Sequence, residues 1–587
     1  MNNFKIGEKD FLYNGESVHL ISGAMHYFRV PKEYWRDRLL KIKACGCNTI
    51  ETYTAWNLHE PNEGEFYFED MCDLKAFLDL VNELDMFAIV RPGPYICSEW
   101  EFGGLPWWLL KYDDIELRCM NDTYLNKVDA YFDKLIPIIA QCQITKGGSV
   151  IMVQVENEYG SYGDDSEYMR YMAAALRKRG ITVDLFTSDG TCDFMLTGGT
   201  IPEIHKTANF GSRAASSFKA LKKYQPQGPM MCMEFWNGWF DHWTERHHTR
   251  SAKSATMSLK EILDNDASVS IYMMHGGTNF GYMNGANCTD TQYQPTVNSY
   301  DDDAPINEYG GLTKKYFMFK DLLNNYGYTS DIKVQQPTTT SYGKVKLNMC
   351  DDLFSNLDKL STKYESTVPK PMEKYNQGYG YILYECFVKG PRNFNTLFLD
   401  VHDRAYVYLD GKFKGIQYRN DKKQNIKLSI PKDGAKLSIL VENMGRINYG
   451  PYIYDKKGLV SPVRLGQQLL FHWDVYTLPL TDLSNLKFNQ NDITFKNKPI
   501  FLKGTFNIND TPKDTFLKTK GFKKGVVYIN GKLISRYWEK GPQATIYIPA
   551  PFLKQGENEI VLFECEGFKN PEIEFIDKHI LNKTKIF

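Results

Sequence analysis

Apolar and polar positions alternate in two different ways along the chain, and the change falls near residue 325. Before it, short apolar runs are separated by stretches with the 3.6-residue period of amphipathic helices. The apolar runs predict eight strands, at Ser22–Phe28, Asn48–Tyr53, Phe87–Pro92, Ile151–Glu158, Asp184–Ser188, Thr207–Phe210, Met230–Phe235 and Val269–His275. Helices are predicted at Tyr34–Ala44, Leu74–Leu84, Tyr124–Gln141, Tyr168–Arg179 and Ala252–Asp264. This alternation of strands and helices predicts a (β/α)8 TIM barrel.

Beyond residue 325 the helical period is lost, and short alternating strands with Asp-Gly, Asn-Gly and Pro turns replace it. One segment recurs, since Val407–Lys412 reads VYLDGK and Val527–Lys532 reads VYINGK. The repeat predicts two jelly-roll-like β-sandwich domains of similar topology. We therefore divide the α/β plus all-β chain into a barrel at 1–330, a first sandwich at 331–480 and a second at 481–587. The polar segment Tyr326–Pro371 is expected to link the barrel to the sandwiches or to add a strand to them.

The composition limits the kinds of partner. The 587 residues include 70 basic and 71 acidic ones, so the chain lacks the basic excess of nucleic-acid-binding proteins. Met1–Asp10 has no signal-peptide core and no apolar run reaches the length of a membrane span, so no membrane contact is expected. The 12 cysteines include no Cys-x-x-Cys pair, which favours free thiols in a reducing compartment. A cytoplasmic location is expected, with unconventional export to the cell surface as the alternative, and a homodimer is left open.

Polar side chains collect at or near the ends of the predicted barrel strands, namely Glu51, Arg91, Glu158, Ser188, Glu234 and His275. Glu158 closes the segment Glu156-Asn157-Glu158 after an apolar run, and Glu234 ends a second apolar run. A single glutamate in such a place is usually a structural ion-pair partner. Two on one barrel rim fit glycosidic hydrolysis, which needs one protonated and one ionised carboxyl group on opposite sides of the anomeric carbon. In this interpretation Glu158 is the general acid and then the general base, and Glu234 is the nucleophile.

Seven motifs carry a resemblance to a known family. In chain order they are Gly23–Arg29, Glu51–Pro61, Arg91–Pro106, Glu156–Gly160, Glu234–Trp239, His275–Gly281 and Glu442–Gly450. These segments resemble those of glycoside hydrolase family 35, the β-galactosidases, and they extend from the barrel into the first sandwich. The resemblance implies a TIM barrel with β-sandwich domains, the second of a galactose-binding type, and hydrolysis of galactosyl oligosaccharides with retention of configuration. It implies no cofactor and no metal.

Several binding roles follow from the resemblance alone. It places Asn157 against the hydroxyl beside the anomeric carbon, and Tyr282 beside the nucleophile, where it would orient the carboxylate. Four further residues match positions that line a galactose pocket, with Glu99 as the acceptor for sugar hydroxyls: Tyr53, Ile96, Cys97 and Glu99.

One departure from the family pattern concerns the segment after the eighth strand. The family reads Ser-Tyr-Asp-Tyr-Asp-Ala-Pro, whereas Ser299–Pro305 has Asp302 in place of the second tyrosine. That tyrosine contacts the terminal sugar in the family. Asp302 is therefore expected either to accept a sugar hydroxyl or to turn away while Tyr300 or another aromatic fills its place. An acidic group in the pocket would also raise the pKa of the acid/base carboxyl or lower activity.

Aromatic residues after the nucleophile bear on the leaving sugar. Trp236, Trp239 and Trp243 have the spacing of a buried helix face, yet their position also suits stacking on the sugar beyond galactose. Bacterial relatives with a similar Trp-x-Gly-Trp arrangement tend to prefer galactose linked β-1,3 to N-acetylhexosamine, so that linkage is expected here. Tyr449, from the first sandwich, is expected to complete this subsite or, alternatively, to pack in a domain interface.

Other interpretations are kept beside this one. The same barrel could carry an exo-β-glucosaminidase or a β-glucosidase, or a sugar-binding protein without activity. His26, His59 and His275 lack the spacing of a metal site and are expected to form orienting hydrogen bonds. Asp241-His242 and His247-His248 are expected in exposed loops.

Overall fold

The N-terminal part of the computed structural model, which describes residues 2–490 and 493–581, is a closed barrel of parallel strands. Its strands are β1 (Ile21–Ala24), β2 (Thr49–Tyr53), β3 (Phe87–Arg91), β4 (Val150–Gln154), β5 (Asp184–Gly190), β6 (His205–Phe210), β7 (Met231–Trp236) and β8 (Ser268–Tyr272). The prediction of a TIM barrel is confirmed. The fourth strand is shorter than predicted and ends at Gln154, because Glu156 and Glu158 have φ angles of 56° and 45°, which no strand accommodates.

The described helices surround the barrel or follow it in the chain. They span Trp35–Ala44, Trp56–His59, Leu74–Glu83, Asp122–Gln141, Ser166–Lys178, Asp193–Gly199, Ala214–Lys222, Ala252–Asp264, Lys314–Asn325 and Leu357–Leu360. Side chains cap several of them, as where Asp165 accepts from the backbone N–H groups of Glu167 and Tyr168. Asp193–Gly199 was not predicted, since it is short and ends in two glycines of low helix propensity. Among the described helices, none has the length and apolarity that crossing a membrane requires.

A small antiparallel sheet covers the N-terminal end of the barrel. Its strands are Phe4–Ile6, Phe11–Tyr13 and Glu16–Val18. Phe4 packs against Phe87 at the start of β3, and the Ile6 N–H donates to Asp184 Oδ2, at the start of β5, at 2.8 Å. The opposite end, where the strands finish, is therefore the end on which a site can be built.

Two antiparallel sandwiches follow the barrel, as predicted. The first pairs a six-stranded sheet (Thr362–Ser366, Tyr381–Val388, Arg404–Leu409, Lys412–Tyr418, Ala435–Glu442, Trp473–Leu478) with a four-stranded one (Arg392–Phe398, Lys427–Ile430, Arg464–Leu465, Gln468–Leu469). The second pairs a five-stranded sheet (Met349–Asp352, Ile500–Ile508, Lys524–Ile529, Lys532–Trp538, Gly556–Glu564) with a four-stranded one (Gly343–Lys346, Thr515–Lys518, Thr545–Ile548, Glu572–Ile576). Two short ribbons complete the described strands, Ala286–Cys288 with Tyr293–Pro295 and Val401–His402 with Gly458–Leu459.

The sequence repeat corresponds to equivalent hairpins in the two sandwiches. In each, the turn residues Asp410-Gly411 and Asn530-Gly531 have positive φ angles, as a tight hairpin turn requires. Each hairpin also carries a register shift at the same place, after Val407 in one and after Val527 in the other. The repeat therefore reflects a shared local topology.

The segment between the barrel and the first sandwich adds strands to the second sandwich. Gly343–Lys346 pairs with Glu572–Ile576, and Met349–Asp352 pairs with Ile500–Ile508. The predicted range 481–587 for the second sandwich does not include these two strands. The expectation that Tyr326–Pro371 adds a strand to the sandwiches is thus confirmed. Which sandwich receives it could not be predicted, because pairing between strands so distant in sequence leaves no local signal.

A buried arginine joins the barrel to the first sandwich. Arg446 Nη1 donates to Glu101 Oε1 of the barrel at 2.7 Å, and Arg446 Nε donates to Glu373 Oε1 of the sandwich at 3.2 Å. All three side chains are fully buried. Because burying a charge is costly unless it is paired, this cluster fixes the two domains in one relative position.

Replacing Arg446 with methionine is predicted to lower the free energy of unfolding at this interface by about 3–5 kcal/mol, because two buried carboxylates lose their cation. Urea unfolding followed by tryptophan fluorescence would measure the change. Lys374→Met is the control, since Lys374 pairs at the same interface with the solvent-exposed Asp113. We expect a much smaller change there, and equal changes in both variants would contradict the role given to Arg446.

Candidate active site

A cavity of about 220 Å³ lies where the barrel strands end. It is lined by eleven of the twelve residues that the sequence assigned to the site, namely Tyr53, Ile96, Cys97, Glu99, Asn157, Glu158, Glu234, Trp236, Trp239, Tyr300 and Tyr449. Ser98, Gly238, Phe240, Tyr272, Met273, Asn287 and Asp301 complete the lining. The two glutamates thus come from different strands and face one space.

Glu234 lies on β7 with its carboxylate buried among donors. Oε1 lies 2.8 Å from the Tyr53 hydroxyl and 2.7 Å from Arg91 Nη2. Oε2 accepts a hydrogen bond from Trp236 Nε1 at 3.0 Å. Every one of these contacts is a donor or a cation, which is the arrangement that an ionised nucleophile needs.

Glu158 follows β4, where the chain turns away from the barrel. Asn209 Nδ2 donates to Glu158 Oε1 at 3.0 Å, and Ser188 Oγ holds the Asn209 amide by donating to its Oδ1 at 2.6 Å. Burial and the negative charge of Glu234 raise the pKa of Glu158 to about 8. A carboxyl with this pKa keeps its proton near neutral pH, as a general acid must.

Arg91 contacts several of the residues around Glu234. Its guanidinium lies on the face of the Tyr53 ring, 4.0 Å from the ring centroid. Nη2 donates to Asn157 Oδ1 at 2.8 Å as well as meeting Glu234, and Nη1 lies 3.3 Å from Glu51 Oε1. Burial alone would lower the pKa of Arg91, but the neighbouring Tyr53, Glu234 and Glu51 outweigh it and raise that pKa, so the cation is retained.

A second buried ion pair holds the segment that carries Asn157 and Glu158. Arg118 makes two hydrogen bonds to the Glu156 carboxylate, at 3.0 and 2.9 Å, and a third to the Asn157 carbonyl at 2.7 Å. The Glu156 carboxylate in turn accepts from the Asn157 N–H at 2.6 Å. This pairing stabilises the left-handed backbone of Glu156 and Glu158, which would otherwise be unfavourable.

The wall opposite Glu158 is a strained loop. Cys97, Ser98 and Glu99 all have φ angles between 47° and 59°, a left-handed run without glycine. Arg29 donates to Ser98 Oγ at 2.7 Å and stacks on Tyr300, and the Tyr300 hydroxyl donates to Glu99 Oε2 at 2.7 Å. The loop thereby presents a carboxylate to the cavity, although burial raises the pKa of Glu99.

The first sandwich supplies the remaining wall. Asn448 Nδ2 donates to Cys97 Sγ at 3.5 Å, and the Tyr95 hydroxyl donates to the Asn448 carbonyl at 2.5 Å. The next residue, Tyr449, lines the cavity. Because Arg446 lies only three residues earlier, the ion cluster between the domains also places Tyr449.

The tryptophans differ in exposure. The helix suggested by their spacing is not formed, since Trp236 ends β7 and the described chain has no helix between Trp236 and Ala252. Trp243 is buried, whereas Trp239 is 46% exposed at the cavity. Trp236 and Trp239 meet edge to face, with ring centroids 5.9 Å apart. Trp236 contacts the nucleophile, and Trp239 offers an open aromatic face beyond it.

Comparison with known proteins agrees with this geometry. Residues 10–326 match the family model "Glycosyl hydrolases family 35", residues 369–479 match "Beta-galactosidase, first all-beta domain", and residues 499–558 match "Beta-galactosidase, galactose-binding domain". The beta-galactosidase of Bos taurus is 39% identical over 98% of this chain and 93% of its own length. Beta-galactosidase 17 of Arabidopsis thaliana is 38% identical over 96% of this chain and 87% of its own. The chain belongs to glycosyl hydrolase family 35.

The family resemblance stated from the motifs is thus confirmed, and the protein is a glycoside hydrolase. Among solved structures, GH5_18 from Streptomyces cattleya in complex with GlcNAc aligns with a TM-score of 0.41 at 13% identity, over 57% of this chain and 84% of that chain.

One residue was assigned to the wrong place in this family 35 site. Tyr282 is not beside the nucleophile but buried between the barrel and the sandwiches, under the guanidinium of Arg536 at 4.6 Å. Tyr272, at the end of β8, lines the cavity instead, and its hydroxyl lies 3.0 Å from that of Tyr300. Tyr272 lay within the predicted eighth strand, Val269–His275, but only the structure shows that the strand ends at Tyr272.

Asp302 turns away from the cavity, which was one of the two expected outcomes. Asp302 Oδ1 lies 3.0 Å from His579 Nδ1, near the C-terminal end of the described chain, and Tyr300 remains in the pocket. Asp302 and Glu308 together raise the pKa of His579 to about 10 despite its burial. Within the segment Ser299–Pro305, the acidic residue that lines the cavity is Asp301, which the sequence did not single out, and burial raises its pKa to about 8.

Of the three histidines beside the site, His26 and His59 form side-chain hydrogen bonds, as expected. Arg29 Nε donates to His26 Nδ1 at 3.0 Å, and His59 Nε2 lies 2.6 Å from the Tyr27 hydroxyl. The prediction that Asp241 and His242 lie in an exposed loop is wrong, since both are buried.

In the described chain, two groups bring acidic and histidine ligand atoms together, Asp241/Glu245/His248 and Asp302/Glu308/His579. In each, a histidine nitrogen lies within hydrogen-bonding distance of a carboxylate oxygen, which accounts for the grouping.

The pKa of Glu158 gives a testable pH profile. Since the acid form of Glu158 is needed, the alkaline limb of the kcat/KM profile on an aryl glycoside should fall as the pH rises through about 8. Asn209→Ala removes a donor that favours the ionised form, so this limb should move up by about one pH unit. The exposed Asn265→Ala is the control and should leave the profile unchanged. A limb that stays in place or moves down in Asn209→Ala would contradict the role of Glu158.

Proposed function

We propose that the protein is a retaining exo-β-galactosidase that releases terminal, non-reducing β-D-galactose. The observation that carries the proposal is the shared cavity of Glu158 and Glu234, in which one carboxyl has a raised pKa and the other is surrounded by donors. The names of the family 35 relatives, all beta-galactosidases, support galactose as the sugar.

The reaction follows from these two environments. Glu158 donates its proton to the glycosidic oxygen while Glu234 Oε attacks the anomeric carbon, so the bond to the leaving alcohol breaks and a galactosyl–enzyme ester forms. Glu158, now ionised, then takes a proton from water. That water attacks the anomeric carbon, Glu234 leaves, and galactose departs with its original configuration.

The remaining lining residues suit a single terminal sugar. Asn157 offers an amide and Glu99 a carboxylate to the cavity, which Tyr53, Tyr300 and Cys97 also line. A hydrogen bond from Asn157 to the hydroxyl beside the anomeric carbon would strengthen as positive charge develops on the ring. Glu99, whose carboxylate also accepts from Tyr300, would bind the hydroxyls at the far end.

Glu234→Gln is predicted to lower kcat by at least about 10⁴-fold, because the amide cannot form the ester, while galactose still binds. Turnover of an aryl β-galactoside and calorimetric titration with galactose would measure the two quantities. Glu83→Gln, at an exposed ion pair, is the control with unchanged activity. Hydrolysis by Glu234→Gln at the wild-type rate, or an α-configured first product in NMR, would rule out double displacement.

The choice of sugar is tested by comparing aryl β-galactoside, β-glucoside and β-glucosaminide. Galactoside should be hydrolysed with the highest kcat/KM. A preference for glucosaminide or glucoside would support the alternative glycosidases on this barrel, and binding without turnover would support a protein that only binds sugar.

The leaving sugar is proposed to lie against Trp236, Trp239 and Tyr449, in a β-1,3 linkage to N-acetylhexosamine. Trp239→Ala should lower kcat/KM for that disaccharide about five- to tenfold by removing a stacking face. A panel of β-1,3, β-1,4 and β-1,6 galactosyl disaccharides would measure linkage and effect together. Phe194→Ala, at an aromatic 63% exposed and absent from the cavity lining, is the matched control. An equal rate on all three linkages would overturn the preference.

A further inference from the structure

Beneath the cavity, a third glutamate lies inside the barrel. Glu51 is on β2, two residues before Tyr53, so both side chains project from the same face of the strand. Its side chain has no solvent exposure, and Oε2 has no hydrogen-bond partner among the described residues. Burying a carboxyl oxygen without a hydrogen-bond partner costs free energy, so the presence of such a residue needs a structural or functional explanation.

The contact that Glu51 does make is with Arg91. Each nitrogen of that guanidinium has its own acceptor: Nε donates to Gln154 Oε1, Nη2 meets Glu234 and Asn157, and Nη1 lies 3.3 Å from Glu51 Oε1. A guanidinium is planar, so fixing Nε and Nη1 also fixes where Nη2 lies. By accepting from Nη1, Glu51 therefore helps to fix the orientation in which Arg91 contacts Glu234.

We propose that Glu51 is a positioning residue that acts through Arg91 to hold Glu234 and Asn157 in line with the anomeric carbon. The inference rests on the proposed glycosidase mechanism, in which Glu234 attacks carbon. A displacement of about 1 Å in such a group can cost about 10²-fold in rate. Glu51 itself does not line the cavity, so it touches no substrate.

The charges around Glu51 indicate that its acceptor oxygen matters more than its charge. The groups facing it are Arg91 on β3, Glu234 on β7, Tyr53 on β2 and Tyr272 on β8. Burial raises the pKa of Glu51 to about 7, although Arg91 acts in the opposite direction. The group is thus partly protonated near neutral pH and still accepts from Nη1, so an uncharged glutamine can replace it.

The experiment compares three substitutions at this position in the full-length protein. Glu51→Leu removes the acceptor, Glu51→Asp retracts it by one methylene, and Glu51→Gln keeps it. Rates on an aryl β-galactoside give kcat and KM, and 2-deoxy-2-fluoro-β-galactosyl fluoride reports the attack by Glu234 alone, as the rate at which the enzyme is inactivated. Glu564→Gln is the matched control, since Glu564 is also buried with a pKa raised to about 7, but lies in the second sandwich.

We expect kcat and the inactivation rate to fall together, about 100-fold in Glu51→Leu and less in Glu51→Asp, with KM within threefold of wild type. Glu51→Gln and Glu564→Gln should stay within fivefold. If Glu51→Leu does not fold, as circular dichroism would reveal, Glu51→Asp decides. An inactivation rate within threefold of wild type in the folded variant, a loss confined to KM, or equal losses in Glu51→Gln and Glu51→Asp would overturn the inference.

A failure of the proposed function looks different. If the wild-type protein hydrolyses an aryl β-glucosaminide or β-glucoside rather than the galactoside, the proposed sugar is wrong. The ratios between variants are then measured on that substrate, with its 2-fluoro analogue, and still decide the role of Glu51.

Discussion

The arrangement of this site depends on one buried guanidinium. Arg91 is the only cation in direct contact with Glu234 among the described residues, and it simultaneously binds Asn157, Gln154 and Glu51. Without that cation, Glu158 and Glu234 would face each other in the barrel interior with no neighbouring positive charge. The guanidinium pairs directly with Glu234, whereas Glu158 is held by the amide of Asn209, and burial and the charge of Glu234 raise its pKa to about 8.

The different properties of the two carboxyl groups are thus produced by the residues around each of them. Glu234 is bonded to a cation and an indole N–H, whereas Glu158 is bonded to Asn209 and feels the charge of Glu234. Both are glutamates after apolar strands, and only the environment gives one the proton. This difference is what makes the cavity suited to acid-assisted displacement at an anomeric carbon.

The sandwiches contribute to the site as well as to stability. Arg446 ties the first sandwich to Glu101 of the barrel, and the same segment brings Tyr449 to the cavity and Asn448 against Cys97. The second sandwich reaches the opposite side through His579, which draws Asp302 out of the pocket. A barrel expressed alone would lack both constraints, which is a physical reason for the three parts to occur in one chain.

The sequence by itself determined the barrel, the two sandwiches and the two glutamates that share the cavity, because strand and helix periods are local and a strand end in a parallel barrel always faces the same rim. The motifs added the pocket residues that lie on or next to those ends, such as Tyr53, Asn157 and Glu99. The tertiary structure alone decided which loop residues reach the cavity and which distant residues pair. Tyr282 and Tyr272 are ten residues apart, and only the path of the chain after β8 shows which reaches the cavity. Asp302 pairs with a histidine near the C-terminal end of the described chain, and Glu51 contacts Arg91 on a neighbouring strand. Such pairings depend on distances in space that no local sequence pattern encodes.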